Sequence, residues 1–135
     1  MSVSCAMDAT AHTPTGFTAP AVVVLAHGFA RDRSKMADLA DHIASWGLVV
    51  VRPDLCHGGP LGVDHPENGR DLAALGDAIS DGRPVYFVGH SAGGLAALLA
   101  ASQSSVAAGH LGLDTVDASN LGLNAAGTLT VPVAA

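Results

Sequence analysis

The residues with the clearest potential for chemistry surround Ser91, in the stretch Val88-Gly-His-Ser-Ala-Gly-Gly94. It contains Gly-x-Ser-x-Gly between an apolar run typical of a strand and one typical of a helix. In that context the serine hydroxyl is exposed above a sheet as a nucleophile, and the helix N-terminus favours negative charge on the attacked oxygen. Gly89 and Gly93 stand where a β-carbon would collide with neighbouring backbone. The alternative is a glycine-rich turn whose serine only caps the helix.

A second motif, Leu25-Ala-His-Gly-Phe29, ends the first apolar run of the chain. An oxyanion hole needs two converging N–H donors. One is expected from Ala92, the residue after the nucleophile, and the other from Phe29 in the loop after this strand. Gly28 lets the backbone turn towards the substrate, and His27 is expected to brace the loop rather than act as a base. An ordinary glycine turn at a strand end is the alternative.

Alternating strands and helices must position these two motifs. Continuous apolar runs predict strands at 21–26, 48–51, 84–88 and 106–113, with a fifth beginning at 128–133. Apolar residues at helical spacing predict helices at 34–46, 70–81 and 91–102. This alternation indicates βαβ units and a parallel sheet, whose ligands bind beyond the carboxyl ends of the strands. Residues 1–20 are expected to form an arm with room for a short edge strand, and 114–127 a loop with a helical turn.

Composition excludes several classes of protein. With 135 residues, 49% of them apolar, the chain suits a single globular domain. A net charge of −6 without clustered cations argues against nucleic acid as a partner. The two cysteines are too few for a disulfide framework, and Cys5 is expected to be inert. No apolar run predicts a membrane span, and the absence of a visible signal peptide makes the cytoplasm the default location.

The two motifs together resemble the α/β-hydrolase superfamily, and the run Val49-Val-Val-Arg-Pro-Asp-Leu55 resembles its next strand and loop. Within it, residues 20–133 are similar to the serine esterases of the dienelactone hydrolase, chlorophyllase and polyester hydrolase group. The resemblance implies a three-layer α/β/α fold with a mostly parallel sheet, in which strand 21–26 lies beside strand 85–88. It also implies hydrolysis of a small-molecule carboxylic ester through an acyl-enzyme on Ser91, with no metal or organic cofactor.

The family pattern is incomplete, because its triad runs in the order serine, acid, histidine. After Ser91 the only acids are Asp114 and Asp117, and the only histidine, His110, precedes both. We therefore interpret residues 21–135 as a truncated α/β-hydrolase core behind the arm at 1–20, and expect a longer chain to supply the acid and histidine. The chain itself is expected to show little Ser91-dependent turnover, and to associate through the unpaired edge of its sheet.

Other residues offer weaker candidates for the missing groups. Asp114 ends the fourth strand, where some family members carry the triad acid, although a loop carboxylate is the simpler interpretation. His110 is expected to be a packed core histidine, and His57 resembles a residue of a loop that lines the family's site. A metal site is not predicted, because the spacing matches no ligand signature for the set Asp54, His57, Asp64 and His65. Cys56 has no expected base that would make it a nucleophile.

Two other functions fit the same sequence. A catalytically inactive, hydrolase-like binding module would explain the missing base. An acyltransferase or thioesterase would use the same serine and differ only in the acceptor of the acyl group. Haloalkane dehalogenases and epoxide hydrolases fit less well, because they need aspartate where this chain has Ser91.

Overall fold

The computed structural model describes residues 2–135 and shows helices layered on a mixed sheet. The elements are β1 (Ala9–His12), β2 (Val22–Ala26), a 3-10 turn (Arg33–Met36), α1 (Ala37–Ser45), β3 (Val49–Pro53), α2 (His65–Ile79), β4 (Val85–His90), α3 (Ala92–Ala101), β5 (Ala107–Leu113), α4 (Leu121–Ala126) and β6 (Val133–Ala134). The six strands form one sheet in the order β1-β3-β2-β4-β5-β6. Only β1 is antiparallel to its neighbour, so the expected mostly parallel sheet is confirmed.

Strands β2 and β4 form the centre of the sheet. Every residue of β2 is buried, which explains its continuous β-branched sequence. The parallel register pairs Ala26 with Gly89, so the two strands end side by side. The strand neighbourhood that the resemblance implied is therefore confirmed, and the loops that follow the two strands meet at one edge.

The core has two halves, one on each face of the sheet. On one face, α2 and α3 cover Val22, Val24 and Phe87. On the other, α1 and the 3-10 turn cover Val23 and Leu25. Successive residues of β2 thus face opposite layers. Because full burial of one large apolar side chain stabilises the fold by about 1.5–3 kcal/mol, β2 stabilises the packing of the helices on both faces. The three-layer arrangement agrees with the expectation.

Helix α3 is apolar all round because it is enclosed all round. It packs on β4, β5, α2 and α4, and nine of its ten residues are buried. The expected buried helix is thus confirmed. Within residues 2–135, no helix combines the length and the apolar character needed to cross a bilayer.

Helix α2 begins five residues earlier than the apolar spacing predicted, at His65 instead of Arg70. The Asp64 carboxylate accepts a hydrogen bond from the Glu67 N–H at 2.9 Å, and Pro66 lies in the first turn. An aspartate followed three residues later by glutamate is a capping-box signature. The start was missed because a polar first turn carries no apolar periodicity.

The ends of the chain also differ from expectation. The arm contributes β1, which pairs with β3, whereas the division of the chain at residue 20 stays a prediction. The strand expected from 128 is only two residues long, because Thr128 and Leu129 are still hydrogen-bonded to α4. The single turn expected in 114–127 is a six-residue helix. Its start is held by the Asp117 carboxylate, whose pKa is lowered chiefly by the Gly122 N–H and also by those of Leu123 and Ala118.

A disulfide joins Cys5 of the arm to Cys56 of the loop after β3, with 5.9 Å between the Cα atoms. Beside it, the Ser4 N–H and hydroxyl donate to the buried carboxylate of Asp71 in α2. The bridge is not predicted from the sequence, because two cysteines make no framework, although they suffice for a single cross-link. Residues 2–135 contain no free cysteine, so Cys5 serves as one end of this cross-link.

One apolar part of the sheet is uncovered. Tyr86 and Leu111 are exposed on the α1 face, where a groove of about 390 Å³ lies between α1 and β6. The strand β6 also forms an edge with only two paired residues. Association of chains through this region stays a prediction.

The disulfide is expected to contribute substantially to stability, because it closes a loop with a sequence separation of 51. Reduction should lower the free energy of unfolding by about 2–4 kcal/mol, measured by urea titration with and without dithiothreitol. A Cys5→Ser/Cys56→Ser double variant should match the reduced protein and not respond to dithiothreitol. Equal urea midpoints for the oxidised and reduced protein would contradict this expectation.

Candidate functional site

Ser91 lies at the tip of the turn between β4 and α3 in a strained conformation. Its φ is 54° and its ψ −120°, a region that costs a non-glycine residue about 1–3 kcal/mol. The Ser91 N–H donates to the carbonyl of Leu113 at the end of β5 (2.9 Å), which fixes the turn to the sheet. Its side chain makes no capping hydrogen bond. The interpretation of Ser91 as an ordinary helix cap is therefore wrong, since caps have extended backbone and an engaged side chain.

Gly89 and Gly93 allow the turn to be this tight. A β-carbon on Gly89 would overlap the carbonyl group of Gly93 and lie 2.7 Å from the nitrogen of Gly94. A β-carbon on Gly93 would overlap the carbonyl oxygen of His27 and lie 2.6 Å from that of Ala26. Every one of these neighbours is backbone, so a side chain at either position could not be accommodated by rotation of another side chain.

The loop after β2 lies directly against this turn. A β-carbon on Gly28 would be 3.6 Å from the Cβ of Ser91 and 3.2 Å from the Nδ1 of His90. The N–H groups of Phe29 and Ala92 donate no hydrogen bond within residues 2–135. Both N–H groups are thus free, one in the residue after Ser91 and the other in the residue after Gly28, and their assignment as an oxyanion hole stays a prediction.

His27 braces this loop, as the sequence predicted. Its side chain is buried, and its Nε2 accepts a hydrogen bond from the Leu55 N–H at 3.0 Å. That bond places the ring proton on Nδ1, which donates to the carbonyl of Gly28 at 2.8 Å. Both ring nitrogens are occupied, so His27 holds the loop and has no free nitrogen to act as a base.

The loop after β3 supports the same region from the side. Gly58 accepts a hydrogen bond from the Ala30 N–H at 2.8 Å. The Asp54 carboxylate accepts from the Arg33 N–H at 2.7 Å and forms an ion pair with the Arg33 guanidinium. Because Cys56 lies within this loop, the disulfide to the arm anchors the segment that positions the loop after β2.

The candidates for the general base are engaged elsewhere. His110 is buried in β5 with its Nε2 3.1 Å from the carbonyl of Gly94, and desolvation lowers its pKa. The prediction of a packed core histidine is confirmed. His57 contacts the Ser4 hydroxyl through its Nε2 at 2.9 Å. Within residues 2–135, no histidine or carboxylate is hydrogen-bonded to the Ser91 hydroxyl.

Asp114 is the acidic residue that directly follows β5, at the carboxyl edge of the sheet. It follows Leu113, whose carbonyl accepts from Ser91, and it is an exposed residue with φ of 52°. A positive φ is unusual for aspartate and holds the chain in a sharp turn as it leaves β5. Its role as the triad acid stays a prediction.

No metal-binding site is formed within residues 2–135, since no three histidine, cysteine, aspartate or glutamate side chains are placed together to hold an ion. Asp54 is paired with Arg33, and Asp64 caps α2.

Comparison with known proteins finds a family model and solved structures that are similar to this chain. A family model described as "Alpha/beta hydrolase family" matches residues 23–134. The esterase PE8 is similar in structure, with a TM-score of 0.70 and 20% identity over 94% of this chain and 72% of that chain. An alpha-beta serine hydrolase homologue from Coxiella burnetii gives a TM-score of 0.70 and 14% identity over 94% and 65%. No curated protein matches the sequence.

Other structures are considerably longer than this chain. MenH from S. aureus gives a TM-score of 0.61 and 20% identity over 79% of this chain, which corresponds to 42% of that protein. A lipase in its open form is covered over 39% of its length. The chain therefore spans about two fifths of these two proteins.

The backbone contact at Gly93 yields a stability prediction. Gly93→Ala should lower the free energy of unfolding by at least about 2 kcal/mol, because the added methyl group meets fixed carbonyl groups. Gly59→Ala is the matched control, since a β-carbon there meets nothing within 4 Å. Urea titration measures both, and an equal effect of the two substitutions would refute the steric argument.

The burial of His110 yields a pH prediction. Because its pKa is lowered in the folded state, the unfolded chain binds a proton here that the folded chain does not. Stability should therefore fall as the pH drops below about 6.5, by up to about 1.4 kcal/mol per pH unit for this residue. His110→Gln should remove that part of the decline between pH 7 and 5 in urea titrations. The same slope in both proteins would contradict the prediction.

Proposed function

Since the chain belongs to the α/β-hydrolase family, we propose that it is a serine hydrolase of carboxylic esters, with Ser91 as the nucleophile. The observation that carries the proposal is the conformation of Ser91. A strained residue with an unengaged hydroxyl, at the carboxyl edge of a parallel sheet, is what nucleophilic attack requires. A serine with only a structural role would relax into an ordinary cap.

The proposed reaction begins with attack of the Ser91 Oγ on the ester carbonyl carbon. The new C–O bond moves an electron pair onto the carbonyl oxygen, and the N–H groups of Phe29 and Ala92 stabilise the resulting negative charge. When the carbonyl re-forms, the C–O bond to the leaving group breaks, and the alkoxide takes a proton from water to leave as the alcohol. The acyl group stays on Ser91. Water then attacks the acyl carbon, which releases the acid and restores the hydroxyl.

Removal of the proton from the Ser91 hydroxyl is the step that the present chain supports least. No histidine of residues 2–135 is hydrogen-bonded to Ser91, and we propose that water accepts the proton. Without an assembled base, the oxyanion donors and substrate binding sustain about 10³–10⁴-fold acceleration over water. We therefore propose slow acylation of Ser91 rather than rapid turnover.

The two alternatives differ from this proposal in measurable ways. A binding module on the same fold would bind ligands without any acylation of Ser91, and the absence of an engaged base favours it. An acyltransferase or thioesterase would form the same acyl-enzyme. It would then pass the acyl group to an alcohol in preference to water, or accept it from a thioester.

The test is acetylation of Ser91 by p-nitrophenyl acetate, followed by mass spectrometry of the intact chain and its peptides. We expect slow incorporation of one acetyl group at Ser91, none in Ser91→Ala, and unchanged incorporation in Ser105→Ala, a matched exposed serine. Absence of acetylation at Ser91 would overturn the proposal and favour the binding module. Acetyl transfer to added alcohol faster than to water would indicate an acyltransferase.

A further inference from the structure

A groove of about 330 Å³ opens at the carboxyl edge of the sheet beside Ser91. Its lining includes the ends of β4 and β5, at His90 and Leu113, and the loop after β2, at Gly28. The 3-10 turn adds Met36, and the first turn of α1 adds Leu39. Two of the lining residues adjoin Ser91: a β-carbon on Gly28 would be 3.6 Å from the Ser91 Cβ, and His90 precedes Ser91 in the chain. The groove therefore opens next to the turn that carries the serine. The groove is thus placed to hold one end of a substrate.

The two remaining lining residues, Arg31 and Lys35, are cations. The chain has six lysine and arginine residues, and four of them are engaged, as ion pairs or hydrogen bonds: Arg33 with Asp54, Arg52 with His12, Arg70 with Glu67, and Arg83 with the carbonyl of Ser80. Within residues 2–135, the charged groups of Arg31 and Lys35 make neither kind of contact. Both unengaged cations of this acidic chain therefore line one groove.

No carboxylate among the lining residues offsets this charge. The nearest acid in sequence, Asp32, turns its carboxylate to the N–H and hydroxyl of Ser34 and caps the 3-10 turn. These bonds are the main reason that the pKa of Asp32 is lowered, and Lys35 contributes less. A groove with apolar walls and two free cations complements an anion on a short hydrocarbon chain.

We propose that the groove selects esters whose acyl part carries a carboxylate, such as half-esters of short dicarboxylic acids. The methylene groups would pack on Met36 and Leu39, while Arg31 and Lys35 bind the carboxylate. This inference rests on the proposed function, since it concerns the substrate of the same site. Arg31 is well placed for the role, because its N–H donates to the carbonyl of Gly28 at 3.2 Å and ties it to the loop beside Ser91.

The test compares monomethyl glutarate with its uncharged amide, methyl 4-carbamoylbutanoate, by NMR titration of a Ser91→Ala chain that cannot be acylated. We expect the carboxylate to bind about tenfold more tightly at low ionic strength, and to shift the amide signals of Gly28 and Leu113. Arg31→Gln and Lys35→Gln should each reduce that preference by up to about fivefold, and added salt should reduce it further.

Arg83→Gln is the matched control. It removes the same charge at the opposite edge of the sheet, before β4, and should leave the preference unchanged. Equal binding of the two esters, no binding of monomethyl glutarate at millimolar concentration, or an equal loss in Arg83→Gln would each overturn the inference. The proposed function is tested separately by acetylation of Ser91, so one can fail without the other.

Discussion

The approach of α3 to the end of β2 determines the geometry of the whole candidate site. Helix and strand come so close at Gly93 that the carbonyl groups of Ala26 and His27 occupy the space of a side chain. That contact turns the chain sharply at Ser91, brings the Gly28 loop against the serine, and orients the buried helix. The adjoining parallel strands β2 and β4 make it possible, because their ends lie in register.

A second set of contacts keeps the loop after β2 in place. The bonds from Leu55 to His27 and from Ala30 to Gly58 join two loops that are distant in sequence. The disulfide and the Ser4–Asp71 bonds then attach the second loop to the arm and to α2. The position of the free N–H of Phe29 thus depends on a chain of contacts that ends at the N-terminal arm. In the proposed reaction Phe29 is an oxyanion donor, and such a donor must be held in place before the reaction.

Local physics explains which features could be predicted from the sequence. The β-branched run of β2 and the glycines around Ser91 are patterns within a few neighbouring residues. The sequence therefore predicts both the strand and the turn. The start of α2 is also determined by neighbouring residues, Asp64 and Glu67, but apolar periodicity alone does not detect it. The Cys5–Cys56 bridge and the pairing of β1 with β3 join residues more than 35 positions apart. Neither could be predicted, since the fold creates their proximity. The base for Ser91 was not predicted within these residues, and the structure brings none to it.

The Cys5–Cys56 bridge also determines which part of the chain can be extended by a pulling force. It closes a covalent ring that includes β1, β2, α1 and β3, with a sequence separation of 51. Under tension applied at the two termini, this ring cannot extend, and roughly 170–180 Å of contour length stays hidden until the bridge is reduced. Force would therefore pass from the arm directly to the segment after Cys56, which contains every later helix and strand, while the central strand β2 stays inside the ring.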